Sequence, residues 1–279
     1  MPSIADKRRA FRKLHESGCF VIPNPWDVGT ARYLQHLGFK ALATTSGGYA
    51  ISQGYADRAE PRELMLAHIA ELVAASDLPV NADFESGYAQ DPAGVGESVR
   101  LCVETGVAGL SIEDSTGDKT KPLYDLDHAV ARLRAARAAI DKAASDVILV
   151  GRAECFLVGR PDLDETIRRL RAYADAGADC LYAPGLKTRE QIAAVVQAVA
   201  PKPVNVLMSK PDGLTVQDLG ELGVRRISVG SALARAAWTA FQRAARGIAE
   251  TGKFDGFADT VALSELNSFF RDDRKRREP

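Results

Sequence analysis

The sequence predicts an α/β protein, a (β/α)8 TIM barrel with an additional C-terminal helix, and three observations carry that prediction. Eight short apolar, β-branched runs alternate with longer stretches of helical periodicity between residues 19 and 250. Most of these runs are apolar at nearly every position, as strands covered by helices on both faces should be. No linker, low-complexity tract or composition shift divides the 279 residues, so residues 1–279 read as a single domain. A doubly wound sheet shares the alternation, because periodicity alone does not show closure.

Taken in order, the first strand is CFVIP (19–23), leading into NPWD (24–27). The second, KALATT (40–45), leads into TTSGGYA (44–50), and the third, LPVNAD (78–83), into NADFESGYA (81–89). VAGLSIE (107–113) runs into IEDST (112–116), and DVILVGR (146–152) into GRAEC (151–155). DCLYAP (179–184), KPVNVLM (202–208) and RRISVG (225–230) complete the set. Between strands 5 and 6, Leu163, Ile167, Leu170 and Ala174 repeat at helical spacing, with Asp162 suited to the N-cap and Gly177 to the C-terminal turn. A helix over 232–250 would complete the barrel. The chain then continues through a further amphipathic segment, assigned as a C-terminal helix over 255–270 and followed by a mobile basic tail over 271–279.

Composition narrows the function. Lys plus Arg total 36 and Asp plus Glu 37, a net charge of -1, which argues against nucleic-acid binding. No apolar run approaches the ~18 residues that span a bilayer, and the polar N-terminus is not a signal peptide. Cys19, Cys102, Cys155 and Cys180 are too widely spaced for a metal site or a disulfide framework, and a cytoplasmic location is the expectation.

In such a barrel, catalytic groups project from the C-terminal ends of the strands. Asp83, Glu85 and Glu113 meet at adjacent strand ends, Asp83 and Glu85 two apart and therefore on one face of an extended strand. Three converging carboxylates without neighbouring cations repel one another, and a hard divalent ion, Mg²⁺ first, is the usual remedy. Arg152 and Glu154 repeat the two-residue spacing on strand 5. The Arg152 fork suits a substrate carboxylate, and an ion pair with Glu154 or Glu113 inside the barrel mouth is the lesser alternative. Ser46, Gly47 and Gly48 let backbone N–H groups approach an oxyanion, and Asn205 is either a substrate contact or a satisfied buried amide. His15, His36, His68 and His128 all fall in helical stretches, away from the strand ends, which disfavours histidine acid–base chemistry and a His-ligated zinc. No serine has a plausible base and no phosphate loop is present. Metal-assisted electrostatic chemistry on a small anionic, oxygen-rich substrate remains.

The motifs TTSGG (44–48), NADFESGYA (81–89), SIEDS (111–115), GRAE (151–154) and AYADAGAD (172–179) resemble those of the isocitrate lyase/phosphoenolpyruvate mutase superfamily. The resemblance extends from NPWDVGTA (24–31) to SVGSALARAA (228–237). It implies a carbon–carbon lyase or decarboxylase acting on a small 2-oxo acid or related dicarboxylate through an enolate. It also implies Mg²⁺, with Mn²⁺ as a substitute, held by Asp83, Glu85 and Glu113 partly through water. Ser46 and Gly47 match the pair that binds substrate oxygens, Asp57 an aspartate near the metal shell, and Arg152 the arginine on a substrate carboxylate. A homotetramer assembled by exchange of the C-terminal helix is implied as well. Two departures qualify the resemblance. The loop DSTGDKTKPLYDLD (114–127) lacks the cysteine and histidine of isocitrate and methylisocitrate lyases, leaving Lys119, Thr120, Lys121 and Tyr124 as polar candidates for the missing acid. Strand 6 carries Pro184 where the mutases carry histidine. A phosphonopyruvate-type mutase or hydrolase and a non-catalytic 2-oxo acid binding scaffold are the alternatives.

Overall fold

All eight expected strands form, and they lie side by side in parallel. A computed structural model describes residues 2–143 and 145–277. Its strands are β1 (Phe20–Ile22), β2 (Leu42–Ala43), β3 (Val80–Asp83), β4 (Gly109–Glu113), β5 (Ile148–Arg152), β6 (Cys180–Tyr182), β7 (Val204–Leu207) and β8 (Arg226–Ser228). The helices of the barrel are α1 (Ile4–Leu14), α2 (Val28–His36), α3 (Ser46–Ser52), α4 (Arg62–Ala75), α5 (Pro92–Glu104), α6 (Leu126–Lys142), α7 (Leu163–Asp175), α8 (Arg189–Val199) and α9 (Val216–Glu221).

The sheet order β1-β8-β7-β6-β5-β4-β3-β2 is that of a ring, with β1 paired to β8. The seam between β1 and β2 is stitched by Ala43 N donating to Pro23 O at 3.0 Å. Asn24 adds a second stitch: its Nδ2 donates to Thr44 O, while its Oδ1 accepts from Val229 N and Gly230 N. A TIM barrel is therefore what the alternation encoded.

Local rules hold where they were readable. Helix α7 begins at Asp162, whose side chain accepts from Glu165 N, and Gly177 follows it at φ 99°. Leu170 and Tyr173 are wholly buried, so the helical stripe faces the strands. The N-terminal end of the ring is filled by Phe11 of α1, fully buried among Ile22, Ala43, Ile148 and Val150. Gly109 is required there, because a Cβ would sit 2.7 Å from both Phe11 Cε1 and Asn81 Oδ1.

Residues 2–231 form one compact unit and 232–277 another. Within the second, α10 (Ala232–Thr251) is followed by a short 3-10 turn at Asp255–Phe257 and by α11 (Leu263–Arg277). The C-terminal helix thus starts later than 255 and continues beyond 270. Residues 271–277, expected as a tail, are helical, and Arg277 pairs with Asp273 one turn back at 3.1 Å. Basic residues in the last turn also suit the negative end of the helix dipole. Residues 278 and 279 of the expected tail lie outside the described residues.

Candidate active site

The C-terminal ends of the strands enclose a cavity of about 190 Å³. Of the residues singled out from sequence, Ser46, Gly47, Asp57, Asp83, Arg152 and Asn205 line it, whereas Gly48, Glu85, Glu113 and Glu154 do not. Asp83 closes β3 and is the hub. Its Oδ2 accepts from Ser46 N (3.1 Å) and Ser46 Oγ (3.0 Å), and its Oδ1 from Arg152 Nη1 (3.1 Å). Thr44 Oγ1 accepts from the Asp83 backbone N at 2.9 Å and holds the turn from β2 against β3. Gly48 faces inward to the fold instead, its N–H capping α3 through Thr45 Oγ1.

The premise that the carboxylates lack cations is corrected by two arginines. Arg152 contacts three of them: Asp83 and Glu113 at 3.1 Å each, and Glu154 at 2.5 Å. Burial opposes its charge, yet Glu154, Tyr182 and Asp83 raise its pKa far above the ordinary arginine value. Burial raises the Glu154 carboxyl, with Arg152 acting against that rise. Arg58, which the sequence reading passed over, pairs with Glu113 and donates to Ser115 Oγ at 2.7 Å from a left-handed backbone (φ 68°). Both ion pairs considered for Arg152, with Glu154 and with Glu113, are thus present.

Glu85 also departs from expectation. Strand β3 stops at Asp83, and Glu85 lies in the following turn at φ 48°, so strand alternation does not place it beside Asp83. The turn is clamped by Arg132 of α6, which donates to Ser86 O, to Ala89 O (2.9 Å) and to Glu113 O (3.3 Å). Burial, and then neighbouring Glu60, push the Glu85 carboxyl up to about 9. Its buried Oε1 has no hydrogen-bond partner among the described residues.

Asp57 packs against Gly47 so closely that a Cβ there would stand 2.8 Å from Asp57 Oδ1. Burial, then Asp83, raise its pKa. Behind β5, Asp114 anchors the start of the loop after Arg152: its Oδ1 accepts from Glu154 N at 2.8 Å, and its Oδ2 from Tyr173 OH (2.5 Å) and Arg169 (3.0 Å). Cys155 is fully buried and burial raises its thiol pKa, which fits a packing role.

Arg226, Asn81, Tyr182 and Ser228 also line the cavity and were missed from sequence. Asn205 is a satisfied buried amide that nonetheless lines the cavity; its Nδ2 donates to Ser228 Oγ and its Oδ1 accepts from Arg226 Nε, both at 2.9 Å. None of Lys119, Thr120, Lys121 and Tyr124 reaches the cavity. Tyr124 instead lies under Arg132, 4.1 Å from its guanidinium carbon.

Among the described residues, no three His, Cys, Asp or Glu side chains are gathered closely enough to hold an ion by themselves. The donor set nevertheless suits a hard cation that keeps several waters and takes one or two carboxylates. Asp83 and Asp57 line the cavity, and the buried Glu85 Oε1 makes no hydrogen bond among the described residues.

A sequence profile described as phosphoenolpyruvate phosphomutase matches residues 11–249. A crystal structure of a Burkholderia cenocepacia J2315 protein, provisionally named a lyase/mutase, is 50% identical with a TM-score of 0.93, covering 96% of this chain and 97% of that one. An oxaloacetate decarboxylase of Paraburkholderia xenovorans is 31% identical over 237 residues, 81% of this chain and 75% of its own. The 2,3-dimethylmalate lyase structure, a member of the PEP mutase/isocitrate lyase superfamily, is 28% identical with a TM-score of 0.84, covering 99% of this chain and 98% of that one.

Proposed function

Because the chain belongs to the phosphoenolpyruvate mutase/isocitrate lyase superfamily, we propose that it is a Mg²⁺-dependent lyase or decarboxylase. It breaks a carbon–carbon bond beside the carbonyl of a small 2-oxo acid or related dicarboxylate, and Mn²⁺ substitutes for Mg²⁺. The observation that carries this reading is the Asp83 hub, a carboxylate held by Ser46 and Arg152 at the wall of a small polar cavity.

Asp83 would hold the ion, with Glu85 and Glu113 reaching it through water. When bound, the ion supplies Lewis-acid polarisation of the 2-oxo oxygen, so that charge released by cleavage is accommodated there. Ser46 and Gly47 orient substrate oxygens at the first turn of α3. Arg152 holds Asp83, Glu113 and Glu154 in place and presents its face to the substrate carboxylate. Asp57, beside Gly47, is the side chain positioned to carry a proton at the cavity wall. Free cysteines throughout the described residues suit a reducing cytoplasm, and among those residues no helix is long and apolar enough to cross a membrane. The exposed Phe241, Phe254, Leu263 and Phe270 of the C-terminal unit support assembly as a homotetramer through that unit.

One observation favours a second reading, a 2-oxo acid binding scaffold without turnover: no side chain of the 114–127 loop lines the cavity. The test is a panel of 2-oxo acids with Mg²⁺, scored for a rise in melting temperature and for consumption. Binding followed by consumption supports the lyase; binding alone supports the scaffold. Isocitrate and methylisocitrate should not be cleaved, since general-acid assistance worth ~10²–10⁴-fold has no cysteine to supply it.

A further inference from the structure

Arg226 lines the cavity as a cation that no carboxylate pairs with among the described residues. It opens β8, is 3% exposed, and lines the cavity, as does Ser228, which closes β8 two residues on and on the same strand face. Its partners are neutral amide oxygens: Nε donates to Asn205 Oδ1 at 2.9 Å and Nη1 to Asn81 Oδ1 at 3.2 Å. No ion pair is formed by Arg226 among the described residues. Arg152, by contrast, is shared among three carboxylates.

The remaining groups around Arg226 do not compensate it. His15 of α1 feels its charge, and burial first and then Arg226 push that imidazole down to about 3, so it stays neutral. Cys180 of β6 is buried and its thiol pKa is raised, chiefly by burial. A guanidinium buried against neutral amides carries a desolvation cost that an anion repays with charge-assisted hydrogen bonds. Packing alone does not call for a charge here, since an apolar or amide side chain fills such a layer at lower cost.

We infer that Arg226, with Ser228, forms a second anion subsite on the β8 wall of the cavity and receives a distal oxyanion of the substrate. This rests on the 2-oxo acid reading above and deepens it: the 2-oxo acid end meets Asp83 and Ser46, and the distal carboxylate or phosphonate meets Arg226. Substrates with a second anionic group are then selected over monocarboxylates of the same core.

The experiment is isothermal titration calorimetry of the full chain with Mg²⁺, using lactate, malate and 3-phosphonolactate, which differ only at C3. Oxalate, which has no distal group, reports the chelating end alone. The wild-type protein should bind malate or 3-phosphonolactate about tenfold or more tighter than lactate, and the tighter of the two identifies the distal group. In Arg226→Gln the preference should shrink to within about threefold. Asn205→Asp, which sets a carboxylate against Nε, should erase the preference as well, and it does so without removing the buried side chain that could be needed for folding. Equal binding of all three ligands alongside normal oxalate binding overturns the Arg226 assignment and leaves the parent reading standing. Persistence of the preference in both variants also overturns it. Failure of oxalate to bind the wild-type protein overturns the parent reading, and the subsite with it.

Discussion

Replacing Arg152 by methionine removes the cation that, among the described residues, touches Asp83, Glu113 and Glu154 together. Glu113 and Glu154 are almost wholly buried, so water cannot take over the role of the guanidinium. Stripping one partner from a buried ion pair costs about 3–5 kcal/mol. For a chain of this size each kcal/mol lowers the melting temperature by ~2–4 °C, so the variant should melt about 6–20 °C below wild type near pH 7.5. The deficit should shrink on acidification. Burial already raises the Glu154 carboxyl against the opposing pull of Arg152, so without the guanidinium the folded state holds that proton more tightly and is relatively favoured as pH falls. Arg152→Lys keeps the charge but reaches fewer carboxylates, and should fall between the two. Mg²⁺ should raise the melting temperature of Arg152→Met more than that of wild type, because the ion replaces the lost charge. Thermal melts at pH 7.5 and 5.5, with and without Mg²⁺, read all of this. If the methionine variant melts with wild type at both pH values, the ion-pair account of the strand ends is refuted.

Gly47→Ala should leave the fold intact or stabilise it slightly, since alanine is favoured over glycine in a helix by ~1 kcal/mol. It should nonetheless lower kcat/KM about tenfold or more by displacing Asp57, whose Oδ1 would lie 2.8 Å from the new Cβ. His68, stacked on Tyr49 with neither ring nitrogen hydrogen-bonded among the described residues, is pushed down to about 4 by burial. The unfolded chain takes up that proton below about 6.5, so wild-type stability should fall by ~3 kcal/mol between pH 6.5 and 4. Urea denaturation of His68→Phe should show a shallower acid limb, and an unchanged limb would contradict the assignment. Light scattering should give roughly four times the 30.0 kDa chain mass, and Leu263→Asp with Phe270→Asp should dissociate the assembly; a monomeric native protein at micromolar concentration would rule the tetramer out.

The barrel was legible because its signal is repeated eight times: every apolar run became a strand inside the expected bounds, and Asp162 and Gly177 bracketed α7 through ordinary capping chemistry. The strand-end rule also found Asp83, Ser46 and Arg152. It misjudged Glu85, because alternation holds only while the chain is extended and the strand ended two residues earlier. Arg58 was invisible for a different reason. It lies in an irregular loop at positive φ, and its pairing with Glu113 joins residues distant in sequence. Arg226 did leave a signal: in RRIS the two-residue period puts Arg226 and Ser228 on one face and Arg225 on the other. Residues 271–277 read as a tail because charge masks helical periodicity there, whereas the Asp273–Arg277 pair depends on it.

The most direct test of the central claim is the enzyme-dependent turnover of whichever 2-oxo acid of the panel is consumed, measured in metal-free buffer and after Mg²⁺ is restored, with the protein-free rate subtracted. Turnover should vanish on chelation, return with Mg²⁺ or Mn²⁺, and be lost in an Asp83→Asn variant that melts like wild type. Undiminished turnover after exhaustive chelation, or a fully active Asp83→Asn variant, would contradict metal-assisted cleavage centred on Asp83.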